Sequence, residues 1–95
     1  MPKTEQADEL ELLEFYASWC APCQLVSPVL DELSHQFEGK IRIVRVDVDV
    51  DPHSVEQYSV YSLPTIVFLR KGREVNRIVG AKDKDHYYAA ITASL

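Results

Sequence analysis

The hydrophobic period of this chain changes twice within its first half, and that change constrains the fold more tightly than any other feature. Leu10-Glu11-Leu12-Leu13-Glu14-Phe15-Tyr16 is a short apolar run ending in aromatics, the pattern of a strand. On a two-residue period Leu10, Leu12, Glu14 and Tyr16 share one face, and Glu11, Leu13, Phe15 and Ala17 share the other. Large apolar groups on both faces suit a central strand covered on both sides. From Cys20 onward, Val26, Val29, Leu30, Leu33 and Phe37 form one helical stripe, and Gly39 is a natural stop. Pro22 fits the first turn of that helix, whereas Pro28 lies inside the stripe and predicts a kink with a freed carbonyl near Gln24. Residues 41–48 are rich in β-branched side chains and predict a second strand. Strand, long helix and strand make a right-handed crossover with parallel strands.

The second half continues in the same manner. Asp51-Pro52 is an N-cap followed by a first-turn proline, so a short helix is expected to about Tyr58. Ser62-Leu63-Pro64 breaks the chain before a continuous apolar run at residues 65–69, which reads as a buried strand. Lys71-Gly72-Arg73 is a turn, with a hairpin partner at residues 74–79. Gly80-Ala81 follows, and Asp83 caps a last helix carrying Tyr87, Ile91 and Leu95 on one stripe. The expected organisation is a polar segment at residues 1–9 and a single α/β domain at residues 10–95.

The one tryptophan and both cysteines fall in Trp19-Cys20-Ala21-Pro22-Cys23, at the junction of the first strand with the long helix. Two thiols separated by two residues can form a metal clip, a structural disulfide or a redox switch. A structural zinc site needs four ligands, and His35, His53 and His86 are each isolated and read as solvated. Two cysteines are too few for a disulfide scaffold, so the redox reading is preferred. The net charge of −5 argues against a nucleic-acid or anionic-membrane binder, which would present a basic face. No apolar run approaches a membrane span, and residues 1–9 lack a signal-peptide core. The expected location is the cytoplasm.

Residues 15–23, Phe-Tyr-Ala-Ser-Trp-Cys-Ala-Pro-Cys, resemble the active-site segment of the thioredoxin family, with Pro28 in the matching helix. Leu63-Pro64-Thr65 resembles that family's cis-proline loop, and Lys71-Gly72 and Val79-Gly80-Ala81 resemble its hairpin turn and glycine loop. The resemblance implies a central mixed sheet of about four strands flanked by helices, here without the usual first strand and helix. Ala21 stands where glycine is usual. Glu14 stands where an aspartate is usual, and is similar to the glutamate of protein disulfide isomerase domains.

The resemblance and the helix start together define a chemistry. Cys20 at a helix N-terminus faces unpaired N–H groups that favour thiolate over thiol, so it is the expected nucleophile. Cys23, one turn deeper, is the expected resolving thiol. The alternative is a pair of inert buried cysteines. The resemblance sets Glu14 behind Cys23 as a proton acceptor, its pKa raised by burial; the alternation phase puts Arg45 on the adjoining strand, where pairing would oppose that rise. The bland alternative for Glu14 is a structural ion pair. Pro64 is expected to be cis, freeing the Leu63 backbone to pair with an extended substrate; otherwise it is a trans proline at a strand start. Trp19 is expected to wall the dithiol rather than fill the core, and with Ala21, Pro22, Leu63, Pro64 and Gly80 to form an uncharged substrate rim. Tyr58, Tyr61, Tyr87 and Tyr88 are assigned to packing and surface.

The expected function is reduction of protein disulfides through Cys20 and Cys23, with no bound cofactor or metal and electrons from a flavoprotein thioredoxin reductase. A disulfide oxidase or isomerase and a non-catalytic interaction module are the alternatives. The strand at residues 41–47 is a candidate open edge, which allows a monomer or an edge-strand dimer.

Overall fold

The computed structural model describes residues 9–95, so the polar segment expected before Leu10 lies, apart from Glu9, outside the described residues. The elements are β1 (Leu10–Tyr16), α1 (Ala21–Gln36), β2 (Ile41–Asp47), α2 (Pro52–Gln57), β3 (Thr65–Arg70), β4 (Arg73–Val79) and α3 (Lys84–Ser94). The four strands form one mixed sheet in the order β2-β1-β3-β4. β1 pairs parallel with β2, as the crossover requires, and antiparallel with β3, which pairs antiparallel with β4. The α/β class, four strands and three helices agree with the expectation.

β1 is central because it is apolar on both faces. Leu10 and Leu12 enter a core with Val26, Leu30 and Leu33 of α1, Ile66 and Phe68 of β3, and Tyr87 and Ile91 of α3. Leu13 and Phe15 enter the opposite core with Val46, Val60, Val67 and Leu69. Helices therefore cover one face with long apolar stripes, and the short α2 lies on the other. A third, small cluster of Ala17, Cys20 and Cys23, backed by Tyr16, Val48 and Leu63, closes the end of β1 where the chain turns into α1.

Three local expectations are refined. α1 runs unbroken through Pro28. Gln24, whose carbonyl Pro28 frees, is exposed, so water can take the missing hydrogen bond. The β3–β4 turn is only Lys71-Gly72, with φ of 52° and 79°, and Arg73 already belongs to β4. Two consecutive left-handed residues match the twist of a tight hairpin, which is why glycine serves at the second position. Finally, Leu95 lies beyond α3 and is 47% exposed, so only Tyr87 and Ile91 of the expected stripe are buried.

Candidate active site

The N-cap of α1 is Cys20 itself. Its backbone is extended (φ −92°, ψ 104°) and its Sγ accepts a hydrogen bond from the Cys23 N–H at 3.3 Å. An N-cap side chain takes up one of the four N–H groups that a helix start leaves without partners. A sulfur in that position receives the N–H and the positive end of the helix dipole, both of which stabilise negative charge on it. The two cysteines form a disulfide, with Cα atoms 5.3 Å apart. Cys20 is 5% exposed and Cys23 1%, so the cap sulfur is the one nearer solvent.

A buried carboxylate is linked to this pair through Ser27, whose hydroxyl also lies 3.1 Å from the Cys23 carbonyl oxygen. Glu14 is 0% exposed, on the β1 face that carries Leu10 and Leu12, and it stands opposite Arg45 in the β1–β2 register. Arg45 Nε lies 3.5 Å from Glu14 Oε1, and its guanidinium stacks 4.2 Å above the Tyr16 ring. Glu14 Oε2 accepts a hydrogen bond from the Ser27 hydroxyl, whereas Oε1 has no hydrogen-bond partner. Burial raises the Glu14 pKa above the usual 4.5, the Ser27 hydrogen bond and the Arg45 charge oppose the rise, and Asp31 adds to it. Loss of hydration outweighs the single well-made hydrogen bond and a cation that is itself half-exposed. The register partner anticipated from alternation is thus in place, and so is its opposing effect.

The chain returns to the dithiol through Leu63-Pro64, whose peptide bond is cis. Leu63 packs against the cysteine cluster, and the Pro64 carbonyl accepts a hydrogen bond from Gly80 N–H at 2.8 Å. Neither backbone group of Leu63 makes a backbone hydrogen bond among the described residues, which leaves them open to an extended segment. Gly80 has φ of 90°, a conformation suited to glycine. Its carbonyl accepts from the Tyr87 hydroxyl at 3.3 Å, and the same hydroxyl accepts from Lys82 N–H at 3.2 Å. Tyr87 is completely buried and fastens the glycine loop to α3, a role that its assignment to packing alone missed.

Trp19 is 69% exposed and its Nε1 donates to Asp49 Oδ2 at 2.8 Å. With Val48, Val55, Val60, Tyr61, Ser62 and Leu63 it lines a shallow, mostly apolar groove of about 210 Å³ beside the dithiol. Ala21 and Pro22 are exposed in the first turn of α1. Sequence reasoning did not find Asp49, which lies 30 residues from the indole it holds. It also did not single out Ser27. The available signal was its spacing, since Cys23 and Ser27 are four apart and share a helical face.

A sequence profile described as Thioredoxin matches residues 3–93. Over 73 residues the chain is 42% identical to a thioredoxin of Synechocystis sp., covering 77% of this chain and 68% of that protein. It is 46% identical over 79 residues to a thioredoxin of Chlamydia trachomatis, covering 83% and 76%. A Staphylococcus aureus thioredoxin is 39% identical over 77 residues, covering 81% and 74%. The chain belongs to the thioredoxin family. It is a thiol–disulfide oxidoreductase of the protein-disulfide-reductase type, and the Cys20–Cys23 pair has the spacing that activity uses.

Proposed function

We propose that this chain reduces disulfides of partner proteins in the cytoplasm, with Cys20 as nucleophile, Cys23 as resolving thiol and Glu14 as proton acceptor. The observation that carries the assignment is the N-cap position of the Cys20 sulfur, the more exposed of the two. In the reduced protein the Cys20 thiolate attacks one sulfur of the substrate disulfide. A Cys20–substrate disulfide forms and the substrate's other sulfur leaves as a thiolate, which is then protonated. Cys23 next gives its proton toward Glu14 and attacks the Cys20 sulfur. The Cys20–Cys23 bond forms, the second substrate sulfur leaves, and two electrons have passed to the substrate. Burial of Glu14 raises its proton affinity toward the range in which a general base works at neutral pH.

The substrate is an extended protein segment lying along the free backbone of Leu63. Trp19, Ala21, Pro22, Leu63, Pro64 and Gly80 form its rim, and the groove beside Trp19 takes an apolar side chain. The rim is uncharged and so tolerates many sequences. Residues 10–95 act as one unit without a bound cofactor, and a flavoprotein thioredoxin reductase resupplies the electrons. The unit is a monomer, with the β2 edge as the contact if two copies associate.

The test is insulin-disulfide reduction. Cys20→Ser is expected to be inactive, and Cys23→Ser to accumulate a mixed disulfide with substrate at Cys20. A Cys20→Ser variant that keeps activity overturns the assignment. Equilibration with glutathione checks the direction, since a potential well above the cytosolic poise would make the protein an oxidase.

A further inference from the structure

The Ser27 hydroxyl touches three groups and has one hydrogen. Its Oγ lies within hydrogen-bond reach of Glu14 Oε2, 3.1 Å from the Cys23 carbonyl oxygen and 3.1 Å from Arg45 Nη2. A hydroxyl offers one donor and two lone pairs. Arg45 has only donors, so it occupies one lone pair in every state. The remaining hydrogen then goes either to Glu14 or to the Cys23 carbonyl, never to both.

Which of them receives it depends on the charge of Glu14. An ionised carboxylate is the stronger acceptor and takes the hydrogen. A protonated Oε2 becomes a donor, fills the second lone pair of Oγ and turns the serine hydrogen toward the Cys23 carbonyl. Both arrangements satisfy every atom of the serine without moving a heavy atom. We propose that Ser27 is a positioning residue for the resolving step, a hydrogen-bond switch that reverses as Glu14 gains or loses a proton and links the carboxyl to the Cys23 backbone only in the protonated state.

The inference rests on the reading of Glu14 as proton acceptor for Cys23. In the resolving step the Cys23 S–H proton passes to Glu14, the Ser27 hydrogen swings from the carboxylate to the Cys23 carbonyl, and the Cys23 thiolate attacks Cys20. When Glu14 returns the proton to the departing substrate thiolate or to solvent, the hydrogen swings back. No electrons pass through the serine. The other ionisable groups around Glu14 are Arg45 from β2, Asp31 and the reduced Cys23 from α1, and Tyr87 from α3. Removing the Ser27 hydroxyl leaves Asp31 and burial unopposed on one side of the carboxylate, so the Glu14 midpoint moves upward.

The experiment follows Ser27→Ala, Ser27→Thr and Glu14→Gln, with the reduced full chain, by two readouts. One is the rate of mixed-disulfide resolution from pH 5.5 to 9, and the other is the Glu14 carboxyl infrared band, assigned by its loss in Glu14→Gln. Ser27→Ala is expected to shift both midpoints to higher pH and to slow resolution by roughly tenfold or more on the acid side, the lower end of the scale of one lost charge-assisted hydrogen bond. Ser27→Thr, which keeps the hydroxyl, is expected to restore both midpoints. Ser27→Ala is expected to add no further pH shift in a Glu14→Gln background.

The switch is overturned if Glu14→Gln flattens the pH profile but Ser27→Ala leaves the wild-type midpoints in place. It is also overturned if Ser27→Thr behaves as Ser27→Ala. A Glu14→Gln variant with the full wild-type pH profile overturns the reading of Glu14 beneath it.

Discussion

Glu14 is the residue at which stability and chemistry oppose each other. Its folded pKa is raised from 4.5, chiefly by burial, so the native state binds this proton more tightly than the unfolded chain does. The stability it contributes is therefore full below pH 4.5 and is lost as pH rises through the raised value. The neutral isostere Glu14→Gln escapes that loss. Its remaining partner, Arg45, is half-exposed and can be hydrated, so no buried charge is stranded. Glu14→Gln should melt higher than wild type at pH 8, by about 4–8 °C for each kcal/mol recovered. The difference should vanish toward pH 4. Thermal melts of the reduced proteins across that range decide it, and a lower melting point at pH 8 would show that the carboxylate is stabilising.

At the scale of elements, the two longer helices are capped in contrasting ways. α3 has Asp83, whose carboxylate accepts from His86 N–H at 3.0 Å. Asp83→Ala should cost about 1 kcal/mol, read as a lower urea midpoint with unchanged slope. Because Tyr87 on α3 fastens the Gly80 loop, the same variant should also weaken substrate capture. α1 gives its cap position to a redox sulfur, where serine would cap better. Cys20→Ser is therefore expected to be at least as stable as the reduced wild type, so its loss of activity is chemical and not a failure to fold. Melting both under reducing conditions is the check. The elements themselves were readable from sequence wherever periodicity is local. β1, α1 and β2 appear where the changes of hydrophobic period put them. Leu95 was misread because a helical stripe does not reveal whether a surface exists to bury its last member.

For the whole molecule, β1 carries two cores on its two faces, so the cysteine site and the helix packing share one support. Leu33, completely buried on α1 between the sheet and α3, lies far along the helix from the dithiol. Leu33→Ala should cost about 2–5 kcal/mol, a large part of the roughly 5–15 kcal/mol available to a domain. Chemical denaturation should show the loss as one cooperative transition, with intrinsic thiol reactivity of Cys20 unchanged in the folded fraction. The sequence alone determined the crossover and the dithiol at a helix start, because each follows from a local period or a short motif; the cis form of Pro64 was implied only by the family resemblance, and alternation gave the phase of Arg45 but not its pairing with Glu14. Only the tertiary structure brought Ser27 between Glu14 and Cys23, Asp49 to the Trp19 indole and Tyr87 beneath Gly80. The Ser27–Glu14 and Trp19–Asp49 contacts join residues 13 and 30 apart in the chain, and all three depend on how side chains finally pack. No one-dimensional pattern encodes that.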